Sequence, residues 1–295
     1  MNARERGFLL LSSHLGNPER RPLTTAQLRT LADRMRSMER PTEDRSLRAS
    51  DLMALGYGRE FSQRVVDLLE EEAALEHYLH RGAKMGCRPI TRVSPEYPLI
   101  LRQRLGLDSP GCLWVKGDVS LLNAPAIALV GSRDIRERNR DFAEEVGRQA
   151  ALQGLTLVSG NARGADRASQ NACLESGGQV ISVIADELSK QPFRENILYV
   201  SEEDFDEPFS SQRALSRNWV IHALGRMVFV AQSDLGKGGT WDGTVKNLRF
   251  GWSPVACFRD GSEASVQLEQ MGAYLIDKTD VQDFGTLPEQ NLSFL

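Results

Sequence analysis

Apolar residues recur along this chain with two different periods, and the change of period divides it. Up to about residue 82 they return every three to four positions. Leu28, Leu31 and Met35 share one helical face, and Phe61, Val65, Leu68 and Leu69 share another. Residues 8–15 are apolar enough for a first helix, Thr24 or Thr25 starts a second, and a longer one is expected over 60–81. Residues 41–50 read as a charged loop. Beyond Pro125 short apolar runs take over, at 126–130, 155–158, 180–184, 197–200, 227–231, 255–258 and 273–276. Helical patterns lie between them, near 138–152, 164–176, 210–224, 240–250 and 262–271. Short apolar strands alternating with helices predict an α/β fold: a doubly wound parallel sheet preceded by an N-terminal helical domain.

The expected organisation is a helical domain of the SAM-like kind over 1–85 and a connecting segment over 86–122. A sheet domain over 123–280 and a short tail over 281–295 follow. Pro95, Pro98 and Pro110 punctuate the connector, which carries one strand from Cys112 to Lys116. No solenoid repeat, low-complexity stretch or winged-helix pattern after the sheet is expected.

Composition narrows the function more than the fold. The 295 residues suffice for a sizeable core, and the formal net charge of −4 lacks the globally basic signature of many nucleic-acid binders. Any such contact must come from a local patch. The longest apolar run is far short of a membrane span, and the N-terminus carries no signal-peptide core, so a cytoplasmic protein is expected. Cys87, Cys112, Cys173 and Cys257 form no C-x-x-C pair and read as reduced and structural. Neither they nor His14, His77, His80 and His222 stand at a metal-ligand spacing, so no metal and no cofactor are expected.

The candidate chemistry sits in turns. From Leu155 to Asp166 a buried strand runs into Ser159 and Gly160, then Arg163, and Gly164 opens a helix. A strand feeding a helix through a Gly-rich turn leaves backbone N–H groups that favour an anion, most often a phosphate. The unit at 126–152 repeats the design with Gly131, Ser132 and Arg133. Glycines that merely permit tight turns are the plainer reading of either unit alone. Two such units, each with a Ser and an Arg, point to an anion site at the carboxyl edge of the sheet.

These residues, taken in order, resemble a known family. The string Val130 to Arg133 is followed by Ser159-Gly160-x-Ala162-Arg163-Gly164-x-Asp166, then Arg217-Asn218, then Lys237-Gly238-Gly239-Thr240. With Tyr97-Pro98-Leu99 and the run from Leu113 to Gly117, this order is similar to the DNA-processing protein A family, also called DprA or Smf. The resemblance implies an extended Rossmann-like domain that binds single-stranded DNA, forms a homodimer and helps load the RecA recombinase, without being an enzyme. It carries DNA or phosphate contacts onto Gly131, Ser132, Arg133, Arg163, Gly164, Asp166, Arg217 and Asn218, and the turns themselves add Ser159, Gly160, Lys237, Gly238, Gly239 and Thr240 as candidates. The chain departs from the pattern at Ser169-Gln170, Trp219, Gln232 and the loop 236–242.

Within that frame Arg133, Arg163, Arg217 and Lys237 are the expected phosphate contacts, and Ser132, Ser159 and Thr240 the hydroxyl donors. Trp219 and Trp241 are either base-stacking platforms or core. Asp166 caps its helix, orients Arg163 by an ion pair, or acts as a general base. The charged runs 190–194 and 202–207 read as solvated faces, and the acidic one should lie off a DNA path. A second function class stays open: a small-nucleotide sensor, or a hydrolase like the LOG-type phosphoribohydrolases, using the same crevice.

Overall fold

The computed structural model describes residues 1–36 and 46–287. Half of the charged loop expected over 41–50, and residues 288–295 of the expected tail, lie outside the described residues. The N-terminal part consists of α1 (Ala3–Ser12), α2 (Thr25–Arg36), α3 (Ala49–Ala54), α4 (Arg59–Glu70) and α5 (Glu72–Lys84). Helix α1 starts five residues earlier than its apolar run. The Asn2 side chain accepts the Glu5 N–H and the Glu5 carboxylate accepts the Asn2 N–H, a capping box. The single helix expected over 60–81 is two, broken at Glu71. The break lets the chain serve two cores. Val65 and Leu68 pack with Leu31 and Leu52, whereas Leu75 packs with Leu9 and Leu10 of α1. Glu71 at the break accepts a 2.7 Å bond from the buried Arg20.

Among the described residues one sheet of nine strands follows, ordered β1-β2-β6-β5-β4-β3-β7-β8-β9. The strands are β1 (Arg88–Thr91), β2 (Cys112–Lys116), β3 (Ala126–Val130), β4 (Thr156–Ser159), β5 (Val180–Val183), β6 (Ile197–Ser201), β7 (Val228–Val230), β8 (Val255–Phe258) and β9 (Tyr274–Ile276). Helix α6 (Leu99–Leu105) joins β1 to β2. Then α7 (Glu137–Leu152), α8 (Ala165–Glu175), α9 (Ser211–Leu224), α10 (Gly238–Phe250) and α11 (Glu263–Gln270) cover the faces. From β6 to β9 every pair is parallel. The chain winds outward from β3 through β4, β5 and β6, returns, and winds the other way through β7, β8 and β9. That is the doubly wound plan, with its switch point between β3 and β7.

The core alternates as the strands do. Ile127 and Leu129 of β3 face Phe142 and Val146 of α7 and Ala165 and Cys173 of α8. Ala126, Ala128 and Val130 face Val220, Ile221 and Leu224 of α9. The segment 86–122 is more than a connector, because β1 and β2 extend the sheet as an antiparallel pair beyond β6. Its Pro89 sits in the edge strand, where a missing N–H donor costs no ladder bond. Among the described residues no helix is long and apolar enough to cross a membrane.

The acidic run 202–207 is only partly a solvated face: Glu203 and Glu207 are exposed, but Asp204 and Asp206 are engaged. Asp204 accepts from the indole of Trp114 at 3.1 Å and from the Ser13 hydroxyl. Asp206 accepts from the Tyr78 hydroxyl at 3.0 Å and pairs with Arg81. Between them Phe205 packs on Tyr78 and Trp114. The run is the seam that fastens the helices of the N-terminal part to the sheet. It clusters acids because the groups facing them are phenol, indole, hydroxyl and guanidinium donors.

Candidate nucleic-acid interface

At the switch point the carboxyl ends of β3 and β7 diverge and leave a crevice of about 450 Å³. Three turns build it. In the first, Gly131 leaves β3 so close to α8 that an added Cβ would stand 2.5 Å from that of Ala165. The Ser132 N–H then bonds the Gln232 carbonyl at 3.0 Å, and its own carbonyl accepts the first N–H of α8. Its hydroxyl is used inside the turn, donating to the Asp134 carbonyl and accepting the Asp134 N–H. Ser132 thus spends its hydroxyl on holding the turn, and it lines the crevice.

The second turn, 159–164, is held from beneath. Asn161 takes a left-handed conformation with φ of 58°, a region that Asn tolerates. Gly164 has φ of +89° and abuts the carbonyls of Ser132 and Arg133, so no side chain fits there. The Asp166 carboxylate is buried and accepts the Ala162 N–H at 3.2 Å. Its counter-ion is Arg217 of α9, whose Nη2 lies 3.7 Å away, both side chains 7% exposed. Burial pushes the Asp166 carboxyl up, and the Arg217 guanidinium draws it back. Gly160 rests directly on that guanidinium, and any Cβ would collide with it. Asp166 thus orients Arg217 and the turn, not Arg163.

The third turn, 232–240, opens α10. Lys237 is its N-cap with no side-chain hydrogen bond to the helix, so the first amides, on Gly238, Gly239 and Thr240, have no intrahelical partner. Asn218 of α9 donates to the Gly239 carbonyl at 3.0 Å and pins the glycines. This terminus faces the crevice, with Lys237 exposed at its rim. The amide end available to an anion is that of α10, since the first N–H of α8 is spent on Ser132.

Of the residues singled out in the sequence, Gly131, Ser132, Arg133, Asp166, Arg217, Asn218, Lys237, Gly238, Gly239 and Thr240 line this crevice together. Ser159 and Gly160 do not; both are buried under the second turn. Arg163 and Gly164 line a separate groove between α7 and α8, where Arg133 also reaches. Arg163 is exposed, and its side chain makes no hydrogen bond or ion pair among the described residues. Trp219 and Trp241 do not line the crevice; both pack against the core, and Trp219 meets Trp252 at 5.8 Å. His77 and His80 are exposed on α5, apart from all of this.

Two features escaped the sequence. Ser233 lines the crevice with a buried hydroxyl that has no partner. Phe209, 51% exposed, stands two residues before Ser211, itself on the crevice wall. A lone aromatic in a polar loop was its signal, masked by the acidic run beside it.

Comparison with known proteins agrees with this fold. The model of the family described as DNA recombination-mediator protein A matches residues 88–284. DNA processing protein DprA of Streptococcus pneumoniae is 30% identical over 182 residues, 57% of this chain and 64% of that protein. The match therefore spans just under two thirds of that relative's length. DprA of Bacillus subtilis is 26% identical over 72% of this chain and 75% of its own. The solved Streptococcus pneumoniae DprA superposes with a TM-score of 0.68 at 24% identity, covering 88% of this chain and 92% of that one. DNA processing protein A from Helicobacter pylori, a structure concerned with its single-stranded DNA binding mode, gives 0.55 at 23% identity over 67% and 93%. With about two thirds of its length under one family model, on the sheet that builds the crevice, the chain belongs to the DNA recombination-mediator protein A family.

Proposed function

We propose that this chain binds single-stranded DNA across the carboxyl edge of its sheet, as a binding protein and not an enzyme. The observation that carries the reading is the pair of exposed cations, Arg133 and Lys237, set beside the uncapped N-terminus of α10 at the switch point. Backbone amides and long cations recognise phosphate without reading a base, which suits a strand of any sequence. Arg163 adds a third exposed cation on the adjoining rim, and Phe209 an aromatic surface for stacking. Arg217 serves as the buried counter-ion that shapes the turn. The Helicobacter pylori relative, whose single-stranded DNA binding mode was the subject of its structure, supports the same ligand.

Family membership supports two finer proposals: the chain works as a homodimer, and it hands its strand to a RecA-type recombinase during DNA uptake or repair. Light scattering across concentration tests the first, and strand-exchange rates with the recombinase test the second. One observation favours a second reading. The unpartnered Ser233 hydroxyl in the crevice wall would suit a small nucleotide held in the same place.

Titration with an oligothymidylate of about twenty bases and with thymidine monophosphate, over a range of salt, separates the two. For the strand each phosphate contact adds roughly 0.7 to the slope of log affinity against log salt. Arg133→Ala and Lys237→Ala should each flatten it by about that amount. Tighter binding of the monophosphate than of the oligonucleotide would overturn the strand reading.

A further inference from the structure

The crevice alone is poorly charged for a polyanion. Along its walls Arg133, Arg217 and Lys237 are matched by Asp134, Asp166 and Asp234. The neighbouring concavity differs. Beyond the ridge formed by Arg133 and Asp134, which line both, a groove of about 570 Å³ runs between α7 and α8. Arg140 and Arg148 stand two helical turns apart on α7, and Arg167 follows Arg163 by one turn at the start of α8. These four and Arg133 outnumber the lining carboxylates, Asp134, Glu144 and Glu175, by five to three. Glu175 ends α8, so the positive charge gathers toward the amino ends of the helices, where their dipoles add to it.

The groove is also open for use. Arg133, Arg140 and Arg163 are exposed, and their side chains make no hydrogen bond or ion pair among the described residues. Arg167 is exposed too and makes only a long, 3.4 Å bond to the Asn161 carbonyl. Arg148 is the exception, paired with Glu145. Gly147 lets α7 touch α8 at the Ser169 carbonyl, which gives the groove a closed floor. A chain with formal net charge −4 has no general reason to leave four arginines together without an ion pair.

We propose that a single strand leaving the crevice turns over Arg133 and continues into the α7–α8 groove, its phosphates on Arg140, Arg163 and Arg167. This inference rests on the single-stranded DNA reading and enlarges its footprint. The crevice then fixes one short stretch of backbone, and the groove supplies much of the salt-dependent affinity. Length dependence follows: a strand too short to leave the crevice gains nothing from the groove.

The test compares wild type with the double variant Arg140→Ala/Arg167→Ala, using oligothymidylates of about six and about twenty bases. The control is Arg102→Ala/Arg249→Ala, two exposed arginines away from both concavities. For the longer strand the groove variant should lower the salt slope by about 1.4, two contacts at roughly 0.7 each, and the control should not. The shorter strand should bind groove variant and wild type alike. The inference is overturned if the long-strand slope is unchanged, or falls equally in the control, while Arg133→Ala/Lys237→Ala still lowers it. If wild type binds neither strand, the DNA reading itself fails and the inference fails with it.

Discussion

Arg217→Met separates two roles that one side chain on the crevice wall can play, ligand cation and buried counter-ion. Arg217 Nη2 stands 3.7 Å from Asp166 Oδ2, with both side chains 7% exposed. With an effective dielectric constant of about 20, that separation corresponds to an attraction of about 4.5 kcal/mol. Desolvation offsets much of this in the intact pair, but removing one partner strands the other, at a typical cost of about 3–5 kcal/mol. Met retains the unbranched stem but not the guanidinium that lies against Gly160, so some packing under the turn is lost along with the charge. We expect Arg217→Met to lose about 3–4 kcal/mol in urea unfolding at pH 8. The loss should shrink on acidification. Burial already holds the Asp166 carboxyl above its ordinary value, and without Arg217 it rises further. A carboxyl raised in the folded state favours folding below its unfolded pKa, about 3.9, and costs stability as pH climbs through the folded one. The variant should therefore approach wild type near pH 4 and fall behind steadily toward pH 8. Asp166→Asn in the same background should recover more than half of the loss, because the stranded charge is gone. A loss under about 1 kcal/mol at pH 8, together with a salt slope for DNA lowered by one contact, would refute the counter-ion role.

Three further outcomes are expected. Burial raises the Glu202 carboxyl to about 7, partly offset by the Ser216 hydroxyl. Its contribution to stability is full below about pH 4.5 and lost as pH rises to 7, so Glu202→Gln should flatten the fall in urea midpoint between pH 5 and pH 8. Asp206→Asn weakens a half-exposed seam at Tyr78 and Arg81, and should cost about 1 kcal/mol by thermal melting, with faster proteolysis between α5 and β1; an unchanged melt would remove the seam from the stability account. Phe209→Ala should weaken binding of a twenty-base strand by roughly 5- to 100-fold with the salt slope unchanged, since stacking on a ring is worth about 1–3 kcal/mol per base.

The parallel part of the sheet was legible because each strand is a mostly apolar run bounded by glycine or polar turns, the pattern of a strand covered on both faces. Every run named from Ala126 to Ile276 is a strand within two residues of its expected ends. Strand β1 was not legible, since Arg88 and Pro89 at an edge carry no apolar alternation. Helix α6, short and entered from Pro98, gave no period long enough to read. Roles within the site were harder for one reason: burial is a property of the fold. Arg217 reads in the sequence as a phosphate contact, and Arg213 lies one turn before it on α9. In the fold both are buried, Arg213 holding the carbonyls of Glu207 and Pro208 and Arg217 holding Asp166. Arg163, 54 positions before Arg217, looked equivalent and is the exposed one.

That division of labour explains why two arginines are needed at one turn. A phosphate-binding loop must be rigid before its ligand arrives, or part of the binding energy is lost to ordering it. The turn 159–164 has few internal bonds of its own, and its backbone includes left-handed Asn161 and positive-φ Gly164. Its order comes from below, through Asp166 on the Ala162 amide and Arg217 against Gly160. Only a buried, always-charged guanidinium can neutralise that carboxylate at every physiological pH. Arg163, spared any internal bond, is left pointing outward from a fixed base. The loop thus holds one cation inside to set its shape and presents another to solvent, free to meet a phosphate of the proposed strand.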